Sequence, residues 1–355
     1  MFSHGILRGV IFLLWFVTAP AIGQPQTSRA SSAVSYLERG NEWLAKGEWD
    51  LAIADYDLAI AFDARAAAYY NRGVAKQRKG DLAGALSDYN RAIELDPRYA
   101  DAYLNRGVVR LGQGERNAAI IDFSRAIEIN PRDTRAWTNR GSAQFNQNDF
   151  TAAVADFDQA IKLDPRNTDA WSNRCGARHR QGALYAALAD CNRALKLDAR
   201  HAMAWNNRGL ARQEKGDLDG ALADLDRAVA LNPQHASFFS NRGRAWLLKG
   251  EPERALSDVN RALAHNPNLA EALSDRGAVW FATQDFTQAI TDFNQALKLN
   301  PRLADTYCNR GVTWLALGKL EEAEADFALC RELGGSPKPQ AAARLREMKQ
   351  RREAR

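Results

Sequence analysis

Five histidines, four cysteines and no apolar stretch approaching eighteen residues are the first things to note in this 355-residue chain. Each scarcity closes a class of explanation. Without a long apolar run the mature chain has no candidate membrane-spanning helix. The histidines, His4, His179, His201, His235 and His265, form no Ser/His/Asp set, and there is no phosphate-binding glycine loop and no paired carboxylate outside a repeating pattern. Cys175 and His179 lie four apart on an expected helix, with Cys191 on the helix that follows. Three ligands are too few for a closed zinc site, so neither metal nor cofactor is expected. Excess charge is also scarce. The last eighteen residues hold seven Lys/Arg against Glu347 and Glu353, which accounts for the whole net charge of +5. The main body is neutral overall and offers no basic face for nucleic acid.

The N-terminus reads as an export signal, residues 1–23. Arg8 supplies positive charge, Gly9–Ala19 is an apolar run, and Ala21 and Gly23 are small residues at cleavage positions ahead of Gln24. Eleven residues rise about 16 Å as a helix, short of a hydrocarbon core of roughly 30 Å. The expectation is a periplasmic or secreted chain, with residues 24–32 as a linker.

What the sequence does have is a period. Asn-Arg-Gly recurs at Asn71, Asn105, Asn139, Asn207, Asn241 and Asn309, with Asn173-Arg174-Cys175 and Asp275-Arg276-Gly277 filling the gaps, always in steps of 34 residues. Asn/Asp-Pro pairs recur in phase at Pro97, Pro131, Pro165, Pro233, Pro267 and Pro301. Within residues 236–269, Phe239, Gly243 and Trp246 mark one helical face, Gly250 ends that helix, and Ala255, Val259 and Ala262 mark a second face, ended by Asn266-Pro267. Each unit is therefore a helix–turn–helix, and a lone helical hairpin needs neighbours to cover its apolar faces.

The order aromatic-x3-Gly-x2-aromatic, Gly-Asp/Glu, Ala-x3-aromatic-x2-Ala, Pro, clearest at Trp137, Gly141, Ala153, Phe157, Ala160 and Pro165, closely resembles the tetratricopeptide repeat. The resemblance covers nine units over residues 33–337. It implies an all-α, right-handed α–α superhelix with a concave groove and no catalytic domain. Residues 338–355, in which Ala341, Leu345 and Met348 repeat the first-helix packing phase, read as a basic capping helix.

The tryptophans outside the signal fall on packing positions and are assigned to the core. An Arg in each unit is followed sixteen residues later by an Asp, as in Arg72/Asp88, Arg140/Asp156 and Arg208/Asp224. The two lie on matching flanks of a hairpin and are expected to pair. The recurring Asn points the other way, opposite the packing Gly. In a stack, Asn71, Asn105, Asn139, Asn173, Asn207, Asn241 and Asn309 form a row along the groove. It is similar to the asparagine ladder in the superhelical repeats of O-linked N-acetylglucosamine transferase, which implies binding of extended peptide. The alternative is that these amides only solvate the groove. Beside them stand Arg135, Arg180 and Arg244, alternating with Asp101, Asp169, Glu214, Glu271 and Asp305. The Lys/Asn/Arg clamp with which related adaptors hold chaperone tails is broken, since Leu37, Asp101 and Asn105 stand where cations are needed.

Cys175/Cys191 and Cys308/Cys330 each fall on the two helices of one hairpin. In an oxidising compartment both pairs are candidate disulfides, and otherwise they are buried thiols filling small sites. The expected function is a non-enzymatic scaffold for other proteins or peptides, the alternative being a regulatory or targeting subunit of an envelope enzyme. Partner identity and oligomeric state are not encoded in any of these features.

Overall fold

A computed structural model describes residues 26–353. The expected export signal lies outside the described residues. These contain nineteen helices and no strand: nine consecutive helix pairs and one terminal helix. The chain divides after Val109 into two compact units. The first holds α1 (Gln26–Lys46), α2 (Trp49–Phe62), α3 (Ala66–Lys79), α4 (Leu82–Leu95) and most of α5 (Ala100–Gly112). The second holds α6 (Arg116–Ile129), α7 (Thr134–Phe145), α8 (Phe150–Leu163), α9 (Thr168–Arg180), α10 (Leu184–Leu197), α11 (Ala202–Glu214), α12 (Leu218–Leu231), α13 (Ala236–Leu248), α14 (Pro252–His265), α15 (Ala270–Ala282), α16 (Phe286–Leu299), α17 (Ala304–Ala316), α18 (Leu320–Glu332) and α19 (Pro339–Glu353). The class is all-α, helical hairpins stacked in sequence order, as in the α–α superhelix.

One segment differs from its sequence reading. Residues 26–32, expected as linker, are the opening turns of α1. No Pro or Gly occurs between Gln26 and Arg39, so nothing stops the helix from extending upstream.

Much of the local chemistry recurs from hairpin to hairpin. The first helix ends on a residue of positive φ, such as Gly80, Gly182 or Gly250, and Asn148 and Gln284 occupy the equivalent place in two hairpins. In four hairpins the next helix is capped by the carboxylate of Asp81, Asp149, Asp217 or Asp285, each accepting the backbone N–H three residues on. The closing Asn/Asp-Pro turn is set by its Asx side chain. Asp96, Asp164 and Asn300 accept the N–H two residues later, and Pro cannot continue the helix.

In several hairpins a Gly lets an aromatic ring approach the facing backbone, while Gly209 and Gly243 meet Leu225 and Val259 in the same way. A Cβ at Gly141 would lie 2.7 Å from Phe157 Cε1, and one at Gly277 would lie 2.6 Å from Phe293 Cε1. Tyr56, Tyr89, Phe123, Phe157, Phe293 and Phe327 are fully or almost fully buried, with Ala at the second-helix contacts on either side. At α9–α10 this Gly–aromatic contact is replaced by Cys175 and Cys191, which are joined as a disulfide with a Cα–Cα distance of 5.4 Å. Cys308 and Cys330 bridge α17 and α18 in the same way. Leu345 of α19 closes the stack against Leu315, Leu320, Ala323 and Phe327.

Candidate functional site

In the second unit, α7, α9, α11, α13, α15 and α17 touch one another in succession, while the second helices of these hairpins do not. First helices therefore line the inner side of the stack, and their remaining face is the wall available to a partner.

The recurring Arg lies at the edge of that wall and is wholly occupied. Arg208 donates from Nε and Nη2 to both oxygens of Asp224, at 2.8 and 2.7 Å, and from Nη1 to Asn192 of the preceding hairpin at 2.7 Å. Its guanidinium also sits 4.6 Å from the centre of the Trp205 ring. Arg140 repeats the pattern with Asp156 and Ser124, and Arg242 does so with Asp258 and Asp226. In the first unit Arg72 forks onto Asp88 and reaches Asp57. The partner carboxylates are buried, and hydrogen bonding to them raises the pKa of Arg72, Arg242 and Arg276. Eight such pairs form within the units, while Arg106 and Asp122 belong to different units. Arg72, Arg140, Arg174, Arg208, Arg242 and Arg310 each join a carboxylate of their own hairpin to a polar side chain of the preceding one and stack on an aromatic, which leaves little of the fork for an outside anion.

The asparagines behave differently from the free row that their spacing suggested. Asn173 donates to Ser142 Oγ at 3.2 Å, Asn207 to the Ser172 carbonyl at 3.1 Å, and Asn241 to Asn206 Oδ1 at 2.8 Å. In the first unit Asn71 donates to Asn41 Oδ1 at 2.8 Å, and Asn105 to the Tyr70 hydroxyl at 3.0 Å. One N–H of each amide therefore ties its helix to the first helix before it, and the Asn207 oxygen also accepts from the Asn206 amide at 3.4 Å. Asn139 is half-buried and Asn309 is exposed.

The three groove cations are also engaged. Arg135 folds back on Asp133, the N-cap of its own helix. Arg180 lies 5.2 Å from the centre of the Phe150 ring. Arg244 forks onto Asp275 at 2.9 and 3.1 Å, and Asp275 also accepts the Ser240 hydroxyl at 2.6 Å. Asp275, Asp305 and Glu271 together raise the Arg244 pKa.

Sequence reasoning missed two sets of residues. One is a row of small polar side chains, Thr138, Ser172, Asn206, Ser240 and Ser274, just before the Asn or Asp of five successive units, of which Ser274 meets Thr306 at 2.8 Å. Its signal was present in the same 34-residue period. The other is two imidazole–carboxylate contacts between hairpins. His179 Nε2 lies 2.7 Å from Glu214, and His201 Nε2 lies 3.0 Å from Asp169 while its Nδ1 accepts the Ala204 N–H. The His201 contact holds the Asp169 carboxyl below the usual range, and burial pushes the His179 imidazole down. Cys175, considered with His179 as a metal ligand, is committed to its disulfide.

Family models described as TPR repeat match residues 77–114 and 279–318, and models described as tetratricopeptide repeat match 100–133, 134–167 and 177–240. Together they cover more than half of the chain. It is a tetratricopeptide repeat protein. Solved structures of tetratricopeptide repeat type agree on the fold. The APC/C hetero-tetramer Cut9–Hcn1 is similar with a TM-score of 0.64 at 16% identity, over 89% of this chain and 76% of that one. A tetratricopeptide repeat protein from Parabacteroides merdae is similar with a TM-score of 0.59 at 20% identity, over 70% of this chain and 99% of that one. No curated protein matches the sequence. Tetratricopeptide repeat proteins are in general scaffolds for protein–protein interaction.

Proposed function

We propose that this tetratricopeptide repeat protein is an exported scaffold that holds extended segments of partner proteins against the first helices of its second unit. The observation that carries the reading is the row of half-buried amides at Asn139, Asn173, Asn207 and Asn241, one per first helix. Asn173, Asn207 and Asn241 stay in register because each is fixed by a bond to the first helix before it. An amide held this way keeps one donor and one acceptor direction, which suits the alternating N–H and C=O of an extended backbone and is indifferent to its side chains. The mixed and self-neutralised charge beside the row favours neither a polyanion nor a polycation.

Export is supported by the apolar run after Arg8, the small residues before Gln24, and two cysteine pairs placed for bridging. The test is affinity capture from an envelope extract with the mature chain, beside a variant carrying Asn139→Ala, Asn173→Ala and Asn207→Ala whose folding is verified by circular dichroism. Partners retained by the parent and lost by the folded variant support the reading, and equal capture by both overturns it.

A further inference from the structure

The net charge of the chain is +5, and its last eighteen residues carry all of it. Around α19 these charges are sorted by side. On the inner side Leu345 is buried against Leu315, Leu320, Ala323 and Phe327, with Ala341 and Met348 packed beside it. Lys349 and Arg352 flank that apolar strip and pair with Glu324 and Glu321 of α18. Those contacts fix which way the rest of the helix faces. With 3.6 residues per turn, Arg344, Arg346 and Arg351 fall about 100° or more from Leu345, on the outer side. Glu347 lies between them and is held by Arg351. Arg344 and Arg346 are exposed and make no ion pair among the described residues.

Two further observations mark this end of the stack. Lys338, also exposed, opens α19, its carbonyl accepting the N–H groups of Ala341 and Ala342, and the first turn holds no acid. A cation there opposes the helix dipole, whose positive end lies at the N-terminus, so Lys338 adds to the local positive potential without helping the helix. Beside it the surface turns apolar. Leu329 and Leu333, in and just after the last turns of α18, are 39% and 36% exposed. In seven earlier hairpins the place of Leu329 is held by Arg or Gln, from Arg91 in steps of 34 residues to Gln295.

We propose that the outer face of α19, with the adjoining end of α18, docks on an anionic phospholipid bilayer. Arg344, Arg346 and Lys338 meet lipid phosphates, for which the guanidinium fork is well shaped, and the two leucines meet the boundary between headgroups and acyl chains. The leucines favour a bilayer over a nucleic acid, which has no apolar layer to receive them. The apolar strip of α19 is spent on α17 and α18, so the helix lies on the surface and does not enter it. Each cation brought to such a surface raises partitioning roughly fivefold, and the contact is reversible and screened by salt. None of the asparagine amides takes part, so the bilayer site stands apart from the peptide-holding wall.

The test is co-sedimentation of the mature chain with vesicles of phosphatidylcholine containing about 30% phosphatidylglycerol, beside vesicles of phosphatidylcholine alone. The variants are R344E/R346E, R344K/R346K and, as a control of equal charge change, R227E/R261E at exposed positions of α12 and α14. Melting curves verify that each is folded. The parent is expected to pellet with the anionic vesicles only, and to bind at least about fivefold less when salt is raised from about 0.05 to 0.5 M. R344E/R346E is expected to lower partitioning at least about tenfold, while R344K/R346K stays within about threefold and R227E/R261E within about twofold of the parent. Equal binding to both kinds of vesicle, or indifference to R344E/R346E, would overturn the proposal. So would a loss as large in R344K/R346K or in R227E/R261E. Binding of a DNA duplex of about 20 base pairs, with no vesicle binding, would overturn it in favour of a nucleic-acid contact.

Discussion

Arg174 grips both carboxylate oxygens of Asp190, at 2.9 Å from Nε and 2.7 Å from Nη2, and both residues are buried. The third arm of Arg174 reaches Asp158 of the preceding hairpin, and the guanidinium stacks on Trp171 with 4.6 Å to the ring centre. One side chain thus joins the two helices of a hairpin and joins that hairpin to its neighbour. Its repetition along the chain makes it the main polar fixture of the fold.

Removing Arg208 takes two charge-assisted bonds from the desolvated Asp224 carboxylate and leaves it to Arg212 alone. Arg208→Ala is expected to lower stability by about 3 kcal/mol, near the lower end for breaking a buried pair because Arg208 remains partly exposed. Arg208→Lys is expected to recover little, since an ammonium cannot span two oxygens and Asn192 together. Urea denaturation reads both, and an unchanged midpoint for Arg208→Ala would contradict the assignment.

The asparagines divide by position. Asn207→Ala deletes a bond between hairpins and is expected to cost about 1 kcal/mol. Asn309→Ala, at an exposed position, is expected to stay within about 0.5 kcal/mol of the parent. Equal losses in thermal unfolding would show that the inter-hairpin bond carries no special weight.

Gln284 holds φ at 66° where most hairpins have Gly. A side chain in this left-handed conformation costs about 1–2 kcal/mol, so Gln284→Gly is expected to stabilise by up to about 1 kcal/mol. The converse change, Gly250→Ala at φ 85°, is expected to destabilise by a similar amount. Denaturation midpoints that fail to move in opposite directions would refute this account of the turn.

The two disulfides close loops with sequence separations of 16 and 22. Loops of that size contribute roughly 3 kcal/mol each by restricting the unfolded chain. Thiol titration of unreduced, unfolded protein should find no reactive cysteine, and reduction should expose four and lower the melting temperature. Four thiols before reduction would exclude both bridges.

Acid should weaken the fold through two imidazoles. Burial depresses His179 and His235 below the ordinary value of 6.5, so between that value and their folded values the unfolded chain binds more protons. Stability is therefore full above about pH 6.5 and falls as the pH drops through this window. A double variant with His179→Gln and His235→Gln should show a shallower loss between pH 7 and 5. An identical slope would assign the effect to other groups.

The 34-residue period made the architecture readable without coordinates, because each hairpin contacts little beyond itself and its neighbours. Trp137, Gly141, Ala153 and Phe157 recur at distances set by helical geometry alone, and the Arg/Asp pairing at i, i+16 follows from two helices folded back across one short turn. The cysteine pairs were readable for the same reason. The start of α1 was not, because helix can extend through a segment such as residues 26–32 wherever nothing breaks it.

What the sequence determined, then, is everything that happens inside one hairpin: its helices, its turn, its Gly–aromatic contact and its Arg–Asp fork. What only the tertiary structure decided is how one hairpin meets the next. The bonds from Asn207 to Ser172, from His179 to Glu214 and from Arg244 to Asp275 depend on the rotation between successive hairpins. That rotation arises from the packing of many side chains at once, and no spacing along the chain records it.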